Sequence, residues 1–144
     1  MIVLDQNIHI RKVNFLSTII DIRLVGGGNE YEGRIEVKYQ GQWGTVCDDA
    51  FDMKDAQVAC RMMGAGRVVS YCSNNQQVCS SKGKSFPPGS GRCWLDQLEC
   101  SGYENSLFDC NHPGVGIEDC TPKEDMGVVC ESEEIFVMKL MCIK

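Results

Sequence analysis

Residues 41–49 read Gly-Gln-Trp-Gly-Thr-Val-Cys-Asp-Asp, and residues 55–61, Asp-Ala-Gln-Val-Ala-Cys-Arg, follow closely. A third stretch, Gly127-Val-Val-Cys130, lies near the other end of the chain. Each stretch places one cysteine inside a pattern typical of a strand or a helix. Together they predict a fold that is held by a disulfide framework.

The first stretch forms the second half of a predicted β-hairpin. Residues 34–39 alternate polar and apolar side chains, which is the pattern of a half-buried strand. The side chains predicted to face inward are Ile35, Val37 and Tyr39. The pair Gln40-Gly41 supplies a two-residue turn, and residues 42–47 return as the partner strand. Shorter strands are predicted at residues 22–25 and 126–130.

One amphipathic helix is predicted after the hairpin. Asp52 has the position of an N-cap, Asp55 lies three residues later near the positive helix end, and Gly64 marks the end. The predicted buried face consists of Ala56, Ala59, Cys60 and Met63. Residues 68–92 are polar and glycine-rich, which predicts one long surface loop. Few strands and a single main helix place the fold in the α+β class.

The cysteine content indicates an oxidising compartment. Ten cysteines in 144 residues exceed cytosolic usage, and an even number favours pairing in a secreted or luminal protein. A zinc protein is the alternative, but the sequence contains no C-x-x-C or H-x-x-x-H pair and has only two histidines. No segment has the length and apolar character expected of a membrane span.

The net charge of -6 is unevenly distributed along the chain. Residues 56–95 contain no acidic residue and carry +5, so the remaining residues carry -11. The basic residues of this segment are Arg61, Arg67, Lys82, Lys84 and Arg92. The asymmetry predicts a basic surface on an otherwise acidic protein. Because these residues are sparse and not interleaved with aromatic ones, specific nucleic-acid recognition is not expected.

The spaced motifs resemble the scavenger receptor cysteine-rich (SRCR) domain. The matching residues are Gln42-Trp-Gly-Thr-Val-Cys-Asp-Asp49, Cys100-Ser-Gly-Tyr-Glu104, Ser106-Leu107 and Cys110. The resemblance implies a curved antiparallel β-sheet that cradles the one main helix. It extends over residues 21–131, which leaves an N-terminal extension at 1–20 and a C-terminal extension at 132–144.

The two extensions are apolar at residues 8–20 and 135–143. Branched side chains clustered at a surface promote aggregation, so we expect that neither flank is a free tail. At least one of them, with the N-terminal extension as the candidate, is expected to add a strand to the sheet or to pack on it.

The resemblance also implies three disulfides. The implied pairs are Cys47 with Cys120, Cys60 with Cys130, and Cys100 with Cys110. Many SRCR domains carry a fourth bridge, but Tyr31 and Ala65 occupy its places here. The chain therefore resembles the six-cysteine subgroup, with four additional cysteines.

The four additional cysteines allow three internal pairings. Cys72 and Cys79 are separated by six residues of turn-forming character, which favours a local bond between them. By elimination, Cys93 is then expected to pair with Cys142. The alternative, in which Cys142 joins another subunit or domain, stays open.

A cation site is the first functional expectation from the resemblance. In several SRCR domains the acidic residues that match Asp48, Asp49 and Glu104 form a calcium or magnesium site used to bind ligands. Hard divalent cations prefer oxygen ligands, and a site of this kind is weak. The alternative is that Asp48 and Asp49 form turn hydrogen bonds ahead of the helix while Glu104 is solvated. Gln97 replaces an acidic residue of the family pattern, which weakens any second site built around Asp96 and Glu99.

The function implied by the resemblance is non-enzymatic recognition. Scavenger-type members often bind polyanions, and the candidate contacts are Arg67, Lys82, Lys84 and Arg92. The expected protein is an extracellular adhesion or ligand-binding module, secreted or in the ectodomain of a membrane receptor, with a polyanionic or protein ligand. No residue has the context of a catalytic nucleophile, no organic cofactor is expected, and His112 is interpreted as structural. The alternatives are an accessory module of a secreted multidomain enzyme and a structural spacer.

Overall fold

The computed structural model describes residues 21–74 and 85–143. A six-stranded sheet, two α-helices and two short 3-10 helices make up the regular structure of this part of the chain. The strands are β1 (Ile22–Gly26), β2 (Glu32–Tyr39), β3 (Gln42–Val46), β4 (Val68–Ser73), β5 (Cys93–Leu95) and β6 (Met126–Cys130). The α-helices are α1 (Met53–Met62) and α2 (Glu133–Cys142), and the 3-10 helices span Leu107–Asp109 and Pro122–Glu124.

The sheet is curled and mostly antiparallel, as the resemblance implies. Its strand order is β4-β6-β2-β3-β5, and β1 pairs with the other edge of β2. The predicted β2–β3 hairpin is present, and its turn residues Gln40 and Gly41 have φ values of 49° and 81°. Both values lie in the left-handed region that two-residue hairpin turns require. The exception to antiparallel pairing is β5, which runs parallel to β3.

Helix α1 begins and covers the sheet as the sequence predicts. The Asp52 side chain accepts hydrogen bonds from the backbone of Lys54 and Asp55, and the Asp55 carboxylate accepts one from the Asp52 backbone. This capping box satisfies backbone N–H groups that have no partner inside the helix. Helix α1 packs against β4, β6 and the 3-10 helix at Leu107–Asp109, and its buried side chains share one core with Ile35 and Val37 of the inner face of β2, which are fully buried.

The outer face of the sheet is covered by residues 85–92. Phe86 is buried against Cys72 and Val129, and the lack of a side chain at Gly127 leaves room for its ring. The Pro87 carbonyl accepts a hydrogen bond from the Arg34 guanidinium. The side chains of β2 that point outward are therefore covered by protein as well.

The three disulfides implied by the resemblance are formed in the structure: Cys47–Cys120, Cys60–Cys130 and Cys100–Cys110. The first two join cysteines 73 and 70 residues apart. Cross-links of that span contribute about 4 to 4.5 kcal/mol each in the chain-entropy account. Cys72 is also disulfide-bonded, but Cys79 lies outside the described residues, so the Cys72–Cys79 pair stays a prediction.

The prediction of one long loop over residues 68–92 is wrong at both of its ends. Val68–Ser73 is strand β4, which pairs with β6, and its β-branched and aromatic residues suit a strand. At the other end, Phe86 is 4% exposed and fills a small second core. Residues 75–84 lie outside the described part of the chain.

The predicted Cys93–Cys142 bond is not formed. Cys93 lies in β5 and is buried, whereas Cys142 ends α2 and is exposed, and both are free thiols. The C-terminal flank forms a helix rather than an added strand, and its apolar side chains are largely exposed. Lys139 of this helix forms an ion pair with Glu131, which also pairs with Arg67 at 3.5 Å. The expectation for the N-terminal flank, residues 8–20, falls outside the described residues.

Candidate functional site

The structure does not bring together the three carboxylates that were predicted to bind a cation. Within the described residues, Asp49 forms a cluster with Asp96 and Asp119, in which one carboxylate oxygen of each lies within 4.8 Å of the others. Glu104 belongs to a different group, beside the Cys100–Cys110 disulfide, and Asp48 belongs to none. Of the predicted set Asp48, Asp49 and Glu104, only Asp49 belongs to a cluster of carboxylates in the described part of the chain, and cation binding by these residues stays a prediction.

Glu104 organises its own loop. Its carboxylate accepts hydrogen bonds from the backbone N–H groups of Ser101, Gly102 and Tyr103 at 2.8 to 3.1 Å, and from the Ser101 hydroxyl at 2.9 Å. These bonds, with that of the Ser101 backbone the largest cause, lower the pKa of Glu104 to about 2. A carboxylate engaged in this way holds the turn after Cys100 in place, which explains its position without a metal ion.

The cluster of Asp49, Asp96 and Asp119 lies beside the Cys47–Cys120 disulfide. Asp49 Oδ2 lies 3.8 Å from Cys47 Sγ and 3.9 Å from Cys120 Sγ, so the Asp49 carboxylate sits directly over this disulfide. Asp96 follows the short strand β5 and is 2% exposed. It accepts hydrogen bonds from the backbone N–H of Gln97 at 2.7 Å and of Asp119 at 3.4 Å. The Asp49 and Asp96 carboxylates are thus positioned by a disulfide, a strand end and backbone hydrogen bonds, whereas the Asp119 side chain is exposed.

The electrostatics of the cluster favour a cation. Burial raises the pKa of Asp96, and the charges of Asp49 and Asp119 raise it further. The pKa of Asp49 is also raised, first by burial and then by Asp48, Glu124 and Asp119. Carboxylates that repel one another in a partly buried site are stabilised by a bound cation, because it supplies an opposite charge.

A surface cavity of about 370 Å³ adjoins the cluster. Its lining residues are Asp96, Gln97, Pro113, Ile117, Glu118 and Asp119. Ile117 is 61% exposed, so an apolar side chain stands beside the acidic ones. The cavity therefore combines carboxylate oxygens with one apolar contact at the outer surface of the domain.

The structure describes only part of the basic segment that was predicted to bind polyanions. Arg67 pairs with Glu131 at 3.5 Å, and Arg61 donates hydrogen bonds to the Gly102 and Glu104 carbonyls. The Arg92 guanidinium stacks on the Trp94 ring at 4.5 Å from its centre. Lys82 and Lys84 lie outside the described residues. Each described arginine of the segment therefore already has an intramolecular partner.

Sequence reasoning missed Asp119, although a signal for it was present. The resemblance implies that Cys47 and Cys120 are bonded, so the acidic residues adjacent to both cysteines must lie close together. Asp49 follows Cys47 by two residues, and Asp119 directly precedes Cys120. Considering both sides of the disulfide would have selected this pair. His112 Nε2 lies 3.3 Å from the Phe108 carbonyl, a hydrogen bond that agrees with a structural interpretation.

Residues 25–131 match the sequence model of the scavenger receptor cysteine-rich domain. Human CD5 antigen-like is 44% identical over 110 residues, which make up 76% of this chain and 30% of that protein. Lysyl oxidase homolog 2A of Danio rerio is 44% identical over 117 residues, or 81% of this chain and 15% of that protein. The chain thus spans less than a third of the length of these two relatives.

Two solved structures have a similar fold. The third SRCR domain of murine neurotrypsin superposes with a TM-score of 0.64 at 39% identity, covering 76% of this chain and 94% of that one. The SRCR domain of mouse MARCO, solved in a dimeric form, gives a TM-score of 0.59 at 42% identity and covers 76% of this chain and 93% of that one.

Proposed function

The chain belongs to the scavenger receptor cysteine-rich family, and we propose that it captures anionic extracellular ligands through a divalent cation held by Asp49, Asp96 and Asp119. SRCR domains are non-catalytic modules of secreted or membrane proteins, and the disulfides of this chain fit that setting. No helix in the described part of the chain is long and apolar enough to span a membrane.

The convergence of three carboxylates over the Cys47–Cys120 disulfide carries this proposal. Calcium and magnesium take oxygen ligands, and three carboxylates on a rigid surface suit a weak extracellular site with a dissociation constant on the order of 0.1 to 1 mM. Calcium has six to eight ligand positions, so three protein carboxylates leave several for oxygens of a ligand. Sulfate, phosphate or carboxylate groups of a bound molecule are suited to those positions.

The charge distribution explains why a cation is needed. Outside residues 56–95 the chain carries -11, and a surface of that sign repels a polyanion. A divalent cation at the cluster offsets two of its three carboxylate charges and, through its open ligand positions, joins the two negative partners. The predicted basic residues, Arg67, Lys82, Lys84 and Arg92, stay candidates for additional charge-assisted contacts to the anionic ligand.

The test is retention of the protein on immobilised heparin, a polyanion, with calcium or with a chelator. We expect retention with calcium, a loss of at least tenfold in affinity with the chelator, and a similar loss in Asp119→Asn with calcium present. The matched control is Asp48→Asn, which removes the same charge one residue away from the clustered Asp49 and should behave as the parent. The proposal is contradicted if retention is the same with calcium and with the chelator, or if Asp119→Asn and Asp48→Asn lose the same affinity.

A second candidate function is that of an accessory module in a larger secreted enzyme. The observation that favours it is the similarity to lysyl oxidase homologs, of which the matching region is about one seventh. In that case the cluster contacts a neighbouring domain of the same protein rather than a free ligand. The sequence of the whole gene product distinguishes the two functions.

A further inference from the structure

Cys93 is a free thiol that the fold places against a disulfide. Cys93 Sγ, Cys120 Sγ and a Glu118 carboxylate oxygen all lie within 4.8 Å of one another. Cys120 is already bonded to Cys47. Within the described residues, Cys47 clusters with Cys120 but not with Cys93. Of the two sulfurs in this disulfide, Cys120 is therefore the one next to the free thiol.

The neighbouring strands explain this arrangement. Cys93 in β5 is the register partner of Thr45 in β3, and the Cys47 backbone N–H donates to the Leu95 carbonyl at 2.9 Å. Cys47, which is bonded to Cys120, lies directly after β3, and the free Cys93 lies in the adjacent parallel strand β5. A side-chain rotation at Cys93 is a smaller change than any movement of those strands.

We propose that Cys93 attacks Cys120 in an internal disulfide exchange. The loop before β6, which the Cys47–Cys120 bond ties to the end of β3, is then tied to β5 through Cys93. The Cys93 thiolate forms a bond to Cys120 Sγ, the Cys47–Cys120 bond breaks, and its electron pair passes to Cys47. The Cys93 proton passes to solvent, and the released Cys47 takes up a proton from solvent. One thiol and one disulfide stand on each side, so no external oxidant is consumed.

The surroundings of Cys93 keep this exchange slow in the resting fold. The thiol donates a hydrogen bond to the Leu95 carbonyl at 3.3 Å. Burial raises the pKa of Cys93 to about 12, and the charges of Glu118, Asp96 and Asp125 add to the shift. Because the thiolate is the attacking species, its scarcity near neutral pH protects the Cys47–Cys120 bond. Local opening of this edge releases the thiol.

The consequence concerns the acidic residues on both sides of the exchanged bond. Asp49 lies over the Cys47–Cys120 disulfide, and Asp119 precedes Cys120. Release of Cys47 removes the covalent tie between the chain that carries Asp49 and the loop that carries Asp119, and this loop stays tied to β5 through Cys93. The exchange is thus a redox-neutral way to separate two carboxylates that the native disulfide holds together.

The decisive variant is Cys47→Ser, which leaves Cys120 without its native partner. The purified protein is treated with oxidised glutathione, which is reduced as a new disulfide forms, then quenched in acid, alkylated and mapped by mass spectrometry. We expect a Cys93–Cys120 peptide, and Cys142 as the alkylated thiol among the described cysteines. In the matched double variant Cys47→Ser/Cys93→Val, Cys120 should remain alkylatable or carry glutathione.

If Cys47→Ser folds but forms no bond between Cys93 and Cys120, the proposal is overturned. If this variant does not fold, the parent protein decides the question. Held at about pH 9 to raise the thiolate fraction and then quenched in acid, it should yield a Cys93–Cys120 peptide together with alkylated Cys47. That species must be missing from Cys93→Val, and its absence from the parent also overturns the proposal. The peptide map does not depend on cation binding, so the two proposals fail separately.

Discussion

The two faces of β2 are buried by different means. On the inner face, Ile35 and Val37 are 0% exposed under the apolar side of α1. On the outer face, Arg34 and Glu36 are 8% and 6% exposed under residues 85–92. The inner cover follows soon after the strand in sequence, whereas the outer cover comes from about fifty residues away. An alternation of polar and apolar residues along a strand therefore does not by itself show that one face of the sheet is exposed to solvent.

The outer face requires more specific partners than the inner one. Arg34 donates to Glu36 through Nε at 3.0 Å and Nη2 at 2.8 Å, and the other Glu36 oxygen accepts from Arg23 Nε at 2.8 Å. Near this group, the buried Asp125 accepts a hydrogen bond from the Gly89 backbone at 2.8 Å. An apolar face tolerates many fillings of similar volume, but a buried charged group must keep each of its partners.

The largest effect is expected on the inner face. Ile35→Ala removes most of a fully buried side chain and leaves a cavity under α1, which should lower the free energy of unfolding by about 3 kcal/mol. Urea unfolding followed by circular dichroism measures it. The matched control is Ile117→Ala, an exposed isoleucine whose loss should stay within about 0.5 kcal/mol. Equal losses in both variants would contradict the assigned core.

A smaller effect is expected on the outer face. Glu36→Gln keeps the shape and one acceptor but removes the carboxylate to which the buried Arg34 donates two hydrogen bonds, which should cost about 2 kcal/mol. Arg23→Gln removes the more exposed arginine of the same group and should cost less than about 1 kcal/mol. The same urea experiment compares the two variants. If Arg23→Gln costs as much as Glu36→Gln, the outer face does not depend on the buried pair.

The smallest effect is a pH dependence from two carboxyls with opposite shifts. Burial raises the pKa of Asp55 from 3.8 to about 6, although its carboxylate accepts backbone hydrogen bonds from Asp52 and Cys100. Its contribution to stability is fully present below pH 3.8 and is lost as the pH rises through about 6. Glu104, with a pKa lowered from 4.5 to about 2, contributes above pH 4.5 and loses its contribution as the pH falls through about 2.

Two conservative variants separate these contributions. Thermal unfolding across pH 2 to 7 should show that Asp55→Asn removes the decline in stability between about pH 4 and 6, while Glu104→Gln removes the rise between about pH 2 and 4.5. An unchanged profile in Asp55→Asn would mean that its carboxyl is not buried against Cys100 as described.

Much of the fold could be predicted because its signals are local. The alternation in β2, the turn at Gln40-Gly41 and the capping residues Asp52 and Asp55 each specify an element within a few residues. The resemblance supplied the disulfides. The outer cover could not be predicted, because nothing close to Arg34 in sequence indicates that a proline-rich segment will bury it. Strand β4 was missed because the polar residues after it dominated the composition of residues 68–92.

Part of the carboxylate cluster could be predicted from the sequence. Asp49 was noted as an acidic residue near the first disulfide, and Asp96 only as part of a weaker second site. Spacing along the chain does not show that the Glu104 carboxylate is engaged by the N–H groups of its own turn. The free thiol of Cys93 could not be predicted from the sequence, because pairing by elimination assumed that every cysteine is bonded. Only the three-dimensional structure shows that Cys93 is unpaired.

The most direct measurement of the central claim is calcium binding by isothermal titration calorimetry. The parent protein should bind one calcium ion with a dissociation constant on the order of 0.1 to 1 mM, and Asp119→Asn should weaken it at least tenfold. Glu104→Gln, which removes the carboxylate that the structure places outside the cluster, should leave the affinity within about twofold of the parent. Loss of calcium binding in Glu104→Gln with normal binding in Asp119→Asn would contradict the assignment of the site to Asp49, Asp96 and Asp119.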